Sequence, residues 1–467
     1  MARIVYITNG MASTLNSGFE MSQRLVDAGH QVSWLSGRES HELIVARGFD
    51  AQVIESDQTF LKRVKEINNQ FSRLRPLQFL SWFRARRELR RQSIENDEIT
   101  QKVKALQPDL LLIDYEMHFA IIATAKLGIP TLLPIVWFSI FHSLDLPPLH
   151  TDLPPATTES ERQEIHSAWS KLWNRRRWSH AVDRFGPAAM RRSIQPIAFT
   201  TNRRADLRKV AQANRFLLDK QTGTNHWIKP HAYLNLPALC FNASELEFPH
   251  PYHPNMNYVG PMIDHQRNDD AIDPESIARW HAFLKERKSQ DTQRPLMYCS
   301  LGTYWSTDKA MIQTVIDAVR NRPDWQLVVG LGGKSTAESF HDIPDNVLLL
   351  DYAPQLQVIQ HADVAITHGG ITSINEYIAG GLPILVCSTG HVDQDGCAAR
   401  IRYHGLGLVA DPDDWSQRSI ESQLKQLLKD DEMKQRVNKM QETFLEYKRQ
   451  GRAVQVIEHA LKKSASK

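Results

Sequence analysis

The 467-residue chain is poor in cysteine: Cys240, Cys299, Cys387 and Cys397 are its four, and no two form a CxxC pair. That excludes a disulfide framework and the common structural zinc patterns, and two of the thiols sit in apolar runs that suit small buried side chains. Long apolar stretches are also missing. The best candidate, Phe119 to Phe141, is broken by Lys126, Pro130 and Pro134 and makes a poor membrane span. No signal peptide opens the chain, because the buried strand Arg3-Ile-Val-Tyr-Ile-Thr8 begins almost at once, so a cytoplasmic protein is expected. Nor is there an excess of one charge. The 56 Lys and Arg are balanced by 53 Asp and Glu, which gives no bulk attraction to nucleic acid. With 42% hydrophobic and 23% charged residues the composition is globular, and the length calls for two domains.

What is present is alternation. Ile4 to Thr8 reads as a strand, Gly18 to Ala28 as a helix and Gln31 to Leu35 as a second strand, the opening of a parallel α/β sheet. Asp109-Leu-Leu-Leu-Ile-Asp114 repeats the pattern as a buried strand ending in an acid. Between about Leu144 and Glu164, Pro147-Pro148 and Pro154-Pro155 predict a long loop over a site. A second irregular stretch, from about Phe248 to Glu275, marks the linker and precedes a helix from Pro274 to Lys288, and strand–helix alternation resumes at Leu296. The expected domains are 1–245, a linker over 246–290, a second domain over 291–445 and a terminal helix over 446–467 that packs back on the first domain.

The segment from His368 to Gly407 carries the chemistry. An apolar strand, then His368-Gly369-Gly370, then a helix opening at Thr372-Ser373 sets free N–H groups at the carboxyl edge of a sheet, where anions bind. The glycines let backbone approach a phosphate, and Ser373 and His368 can donate to it. Glu376 only accepts, which suits ribose hydroxyls rather than phosphate. Ser373-x-x-Glu376 also reads as a capping box worth ~1 kcal/mol to the helix. Gly330-Leu-Gly332-Gly333 lacks the full GxGxxG fingerprint, which counts against a Rossmann dehydrogenase.

Tyr352-Ala-Pro354-Gln355, His368 to Glu376, Gly381-Leu-Pro383, Asp393-Gln394 and Gly405-Leu-Gly407 together resemble the donor motif of the UDP-glycosyltransferase family in order and spacing. Gly29-His30, Tyr258-Val-Gly-Pro261, Ser300-Leu-Gly302-Thr303 and Ile343-Pro-Asp-Asn-Val347 extend the resemblance across nearly the whole chain. It implies the GT-B architecture, two Rossmann-like domains facing across a cleft, with acceptor in the first and donor in the second. By resemblance Tyr352 stacks on the base, Ala353 bonds it through backbone and Gln355 reaches the ribose. His368, Gly370 and Ser373 hold the diphosphate, Glu376 the ribose, Asp393 and Gln394 the sugar hydroxyls, and Thr303 joins the donor set. Ile371 and Thr372 replace the Trp-Asn common in plant members, and Cys397 stands where Asn often follows Asp-Gln, departures that blur sugar and base preference. The implied reaction is inverting transfer, most simply of glucose from UDP-glucose, without metal or a permanently bound cofactor.

The family's base is a histidine in the first loop, oriented by an aspartate at a later strand end. Its position here is Thr14, and no histidine precedes His30. Asp114 matches the aspartate and is the expected base, directly or through water, because a threonine hydroxyl cannot serve alone near neutral pH. Glu116 and His118 share its face only if the strand persists, and otherwise belong to an ordinary loop. The alternative is a nucleotide-sugar-binding protein that lost turnover with the histidine; an epimerase of the same architecture fits the Asp393-Gln394 pattern less well. From Phe60 to Ser93 ten Lys or Arg stand against Glu66 and Glu88, interleaved with aromatics, and Trp169 to Arg192 repeats the mixture. Such segments suit an anionic membrane surface and a lipophilic acceptor such as a carotenoid, sterol or polyketide, or else are solvated helices whose aromatics pack inward. A monomer or weak dimer is expected.

Overall fold

The computed structural model describes residues 1–55, 81, 84, 88, 97–185, 204–228, 231–267, 273–289, 294–301, 309–333 and 335–465. Two parallel sheets dominate it. The first contains β1 (Arg3–Ile7), β2 (Gln31–Ser36), β3 (Asp50–Val53), β4 (Leu110–Ile113) and β5 (Thr131–Ile135). A two-stranded ribbon, β6 (Thr222–Gly223) with β7 (Ala232–Tyr233), precedes its last strands, β8 (Ala238–Cys240) and β9 (Met256–Tyr258). The second sheet is built from β10 (Leu296–Ser300), β11 (Gln326–Gly330), β12 (Val347–Leu350), β13 (Val364–Thr367), β14 (Ile384–Val386) and β15 (Gly407–Val409). Their spatial orders are β3-β2-β1-β4-β5-β8-β9 and β12-β11-β10-β13-β14-β15. Both orders reverse direction once, between β1 and β4 and between β10 and β13. Such reversals open a crevice at the carboxyl ends of the strands, the place where doubly wound folds bind ligands.

The strands form because their residues are apolar on both faces: every residue of β4 is buried, as parallel strands covered by helices require. The first helix, Ala12–Asp27, starts six residues before the predicted Gly18 because the Leu15 N–H reaches the Met11 carbonyl at 2.9 Å. Gly18 is not a helix start. A Cβ there would lie 2.6 Å from the Trp34 ring, so glycine lets the helix press onto β1 and β2. The earlier start also carries Thr14 out of the predicted loop and into the first turn of this helix.

The helix expected from Pro274 to Lys288 within the linker stretch forms as Pro274–Ser289, and its fully buried Trp280 joins Leu350, Val358 and Ile359 in the core of the second sheet. The chain returns at its end: Ala453 and Ile457, on the helix Arg452–Ala465, are buried with Ile4, Tyr6, Leu15 and Leu25 of the first domain. On the way, Tyr447 of the helix Asp431–Arg449 covers Gly260, where a Cβ would sit 2.4 Å from the Tyr447 Cβ and 2.7 Å from the ring. Each fully buried large apolar side chain of this kind contributes roughly 1.5–3 kcal/mol.

Of the two basic aromatic segments, 60–93 lies outside the described residues apart from 81, 84 and 88. In the other, within the helix Glu159–Phe185, Trp169 is 1% exposed and donates to the Leu146 carbonyl at 2.9 Å. Arg176 turns inward to the carbonyls of His226 and Trp227. Those two side chains belong to the interior, as the inward-packing alternative has it.

Candidate active site

The strand–turn–helix at the end of β13 builds the donor half. The helix runs Ile371–Ala379 with Gly370 as its N-cap, so Ser373 lies in the first turn and does not cap it; the capping-box alternative falls away. Gly369 has φ +96, and a Cβ there would meet Val386 at 2.9 Å, which explains the glycine by both conformation and space. His368 Nδ1 is buried without a hydrogen-bond partner, and the ring lies against the helix end, where a Cβ on Gly370 would sit 2.7 Å from Nε2. Burial pushes the ring down to about 4, so it meets a ligand as neutral imidazole. Among the described residues no cluster of His, Cys, Asp and Glu could hold a metal ion.

Glu376, one turn on, is 8% exposed and already occupied: Arg267 donates to it at 3.1 Å and Gln355 Nε2 bonds its other oxygen. Tyr298 in turn donates to Gln355 Oε1 at 3.2 Å. Tyr352 is exposed beside Gly333, whose absent Cβ would otherwise lie 1.9 Å from the phenol oxygen; Ala353 packs over Gly330 in the same way. Thr303 lies outside the described residues.

The sugar end is the turn before the helix Gln394–His404. Asp393 is buried and pushed up to about 6, chiefly by that burial. Val392, a β-branched residue with φ +50, precedes it, local strain of the sort that collects at ligand sites. Gln394 turns its side-chain oxygen back to Thr389, accepting from N at 3.0 Å and Oγ1 at 2.9 Å. Polar contacts fasten this helix to the first domain. Gly396 N donates to Leu149 O at 3.1 Å, in the Pro-rich loop. Arg400 pairs with Glu247, both essentially inaccessible.

Across the cleft, the ends of β1 and β4 meet at Asp114. The carboxylate accepts from Tyr6 Oη at 3.2 Å, Thr8 Oγ1 at 2.8 Å and the Asn9 N–H at 2.8 Å, and is 2% exposed. Burial lifts it to about 6 despite those donors. Its position is that of an anchor for the loop between β1 and the first helix. Thr14 does not touch it; the hydroxyl stands 2.6 Å from Asn9 Oδ1 and 2.9 Å from Met11 O. Asn9 therefore links the two predicted residues. The strand does not persist past Ile113, so Glu116 lies in a turn, and His118 is fully buried with Nδ1 2.9 Å from Tyr233 Oη. Sequence reasoning missed Arg267, Asn9, Glu247 and Arg400, since nothing in their local spacing signals partners so distant in the chain.

The model of the UDP-glucoronosyl and UDP-glucosyl transferase family matches residues 221–463, more than half of the chain. The chain belongs to that family. As a member, it is similar to the NDP-glycosyltransferase YjiC of Bacillus subtilis (strain 168), at 32% identity over 188 residues, 39% of this chain and 47% of that one. The zeaxanthin glucosyltransferase of Pantoea ananas is 29% identical over 152 residues, 32% of this chain and 35% of that one. The matched stretches thus span less than half the length of either relative. Among solved structures, the glycotransferase of kitacinnamycin superposes with a TM-score of 0.63 at 17% identity over 98% of both chains. The family member's fold is therefore GT-B, two Rossmann-like domains, which agrees with the two sheet orders. No helix among the described residues is long and apolar enough to cross a membrane.

Proposed function

We propose that this protein transfers a sugar from a nucleotide diphosphate to a hydroxyl of a lipophilic small molecule, with inversion at the anomeric carbon. One observation carries the reading most: the buried, unpartnered His368 Nδ1 beside a glycine-capped helix N-terminus at the second sheet's switch point. Neutral imidazole and free N–H groups there stabilise charge that grows on the departing diphosphate. Tyr352, Ala353 and Gln355 take the base and ribose side with Glu376, while Asp393 and Gln394 orient the sugar. Glucose from UDP-glucose is the donor suggested by the family's description and by the Pantoea relative, whose substrate zeaxanthin also supports a lipophilic acceptor. Asp114 acts by holding the loop that faces the acceptor, with Thr14 joined to it through Asn9.

The test is incubation with a panel of UDP- and dTDP-sugars and lipophilic alcohols, read by mass spectrometry. A glycoside with the donor's sugar is expected. The position of Thr14 supports a second reading, binding without turnover. Thermal stabilisation by UDP with neither glycoside nor free sugar would establish that reading and sink the first. Association with an anionic membrane, suggested by 60–93, is tested by flotation with phosphatidylserine vesicles; no flotation at low salt would end it.

A further inference from the structure

Val259 and Met262 still pack in the first domain, whereas Trp280 packs in the second, so the chain crosses between them through the turn 264–267. The first domain holds one end of that turn. Arg47, which closes the helix Arg38–Ala46 and lies over Phe19 at 5.3 Å, donates from Nη2 to both oxygens of the buried Asp264 and from Nη1 to the Gln266 carbonyl. Inside the turn, the Gln266 N–H donates to Asp264 Oδ1 at 3.1 Å and the Arg267 N–H to the Asp264 carbonyl at 3.2 Å. The other end reaches the donor site. Arg267 Nη1 stands 3.1 Å from Glu376 Oε1, with the two side chains 17% and 10% exposed. The second oxygen of Glu376 takes Gln355 Nε2, and Tyr298 Oη holds Gln355 Oε1 at 3.2 Å. One carboxylate on the helix Ile371–Ala379 thus receives a neutral donor from its own domain and a cationic donor fastened to the other.

We propose that Arg267 sets the selectivity of the donor site between ribonucleotides and deoxyribonucleotides, by making the ribose hydroxyls compete with a cation for Glu376. This rests on the reading above, in which Glu376 takes the ribose. A hydroxyl that meets an unpaired carboxylate gains a charge-assisted hydrogen bond. One that must first push a guanidinium aside exchanges a bond between two charges for a bond between a dipole and a charge, and the net gain is small. The wild-type site should therefore hold a nucleotide almost equally well with or without its 2′- and 3′-hydroxyls. Arg47 and Asp264 fix the backbone from which Arg267 reaches, so the guanidinium stays at hand while the nucleotide is bound and the competition persists. Arg47 is a positioning residue in this scheme and Arg267 the specificity-determining one. Gln355 does not act in the same way, because its amide is neutral and Tyr298 keeps it on the second oxygen.

The experiment is calorimetry on the full chain with UDP, 2′-deoxy-UDP and 2′,3′-dideoxy-UDP, read as the ratio of the dideoxy-UDP to the UDP dissociation constant. Base and diphosphate are common to the ligands, so any direct attraction between Arg267 and the diphosphate cancels in the ratio. Wild type should favour UDP by less than about fivefold. Arg267→Ala should raise the ratio by about tenfold, with 2′-deoxy-UDP between the extremes. Arg267→Lys keeps a cation and should stay near wild type, while Arg47→Met, which loosens the turn without touching Glu376, should raise the ratio part of the way. A ratio that is unmoved or lowered in Arg267→Ala while UDP still binds overturns the assignment, as does wild type that already favours UDP by more than about fivefold. Should Arg267→Ala fail to fold, the uncharged Arg267→Gln decides by the same ratio: a rise supports the competition and an unmoved ratio overturns it. UDP binding to neither wild type nor variant overturns the nucleotide reading itself, and the proposal with it.

Discussion

Replacing Arg400 by methionine tests how the sugar end of the site is held. Arg400 Nε and Nη2 both bond Glu247 Oε1, Nη1 bonds the Gly396 carbonyl at 2.8 Å, and the guanidinium lies over Phe138 and Phe248 at 4.5 and 4.3 Å. Glu247 also accepts from the Ser139 and Phe248 N–H groups, each at 2.9 Å, and from Tyr258 Oη at 3.1 Å. The side chains are 1% and 0% exposed, so the pair is of the buried kind, in which removing one partner costs about 3–5 kcal/mol, not the ~0–1 kcal/mol of a surface pair. Methionine keeps most of the length, and the penalty is that of stranding the carboxylate. Burial alone would raise Glu247, but Arg400 and the Ser139 N–H outweigh it and hold the acid below its ordinary range. A depressed acid contributes stability above its unfolded value and loses it as pH falls through the folded one. The gap between wild type and Arg400→Met should therefore be level from pH 6 to 9 and shrink only in acid. Urea titration measures it. A loss under about 1 kcal/mol, or one abolished by 0.5 M salt, would refute the reasoning. Because Arg400 shares a helix with Gln394, the variant should also raise KM for the sugar donor more than it weakens UDP itself.

Three other perturbations have definite signs. Arg267→Ala frees Glu376 from a competing cation, so uridine should bind a few-fold tighter by calorimetry; weaker binding would show that Arg267 helps the nucleoside instead. Asp393 is pushed up to about 6, so its contribution to stability is full below its unfolded value near ~3.9 and lost as pH rises through about 6. Asp393→Asn should thus be more stable by about 1–3 kcal/mol at pH 8 and no more stable at pH 4, and an unchanged melting temperature at pH 8 would contradict this. Gly396→Ala would set a Cβ 2.2 Å from the Leu149 carbonyl oxygen, backbone that cannot swing aside. A loss of about 1–3 kcal/mol with a raised acceptor KM is expected, and a neutral result would mean the loop docks less firmly than the contact implies.

Much of this arrangement could be read from the chain because its signals are local. A strand buried on both faces must be an apolar run, and β1, β4, β10 and β13 are such runs; a phosphate-type turn must follow a strand with glycine, and Gly369 and Gly370 do. Gly18 misled because a helix interior disfavours glycine, and only the Trp34 ring overhead explains its presence. The helix from Pro274 was legible too, but not that its Trp280 would pack into the core of the second sheet. Trp169 and Arg176 illustrate the same limit: the pattern counts aromatics and cations but cannot show that the Leu146, His226 and Trp227 carbonyls await them. Glu247 and Arg400, far apart in sequence, carry no short-range trace of each other.

The missing histidine is the sharpest case, because its replacement need not occupy its position. What the reaction requires of a base is proton affinity matched to neutral pH and access to the acceptor oxygen. An imidazole has the first property unaided, near ~6.5; a carboxylate acquires it only by being buried beside other acids. Thr14 offers neither property, whereas burial gives Asp114 the affinity while its carboxylate also holds Tyr6, Thr8 and Asn9. Losing the histidine at one sheet end thus need not abolish the chemistry, since burial has already moved a carboxylate at the same sheet end toward neutral pH.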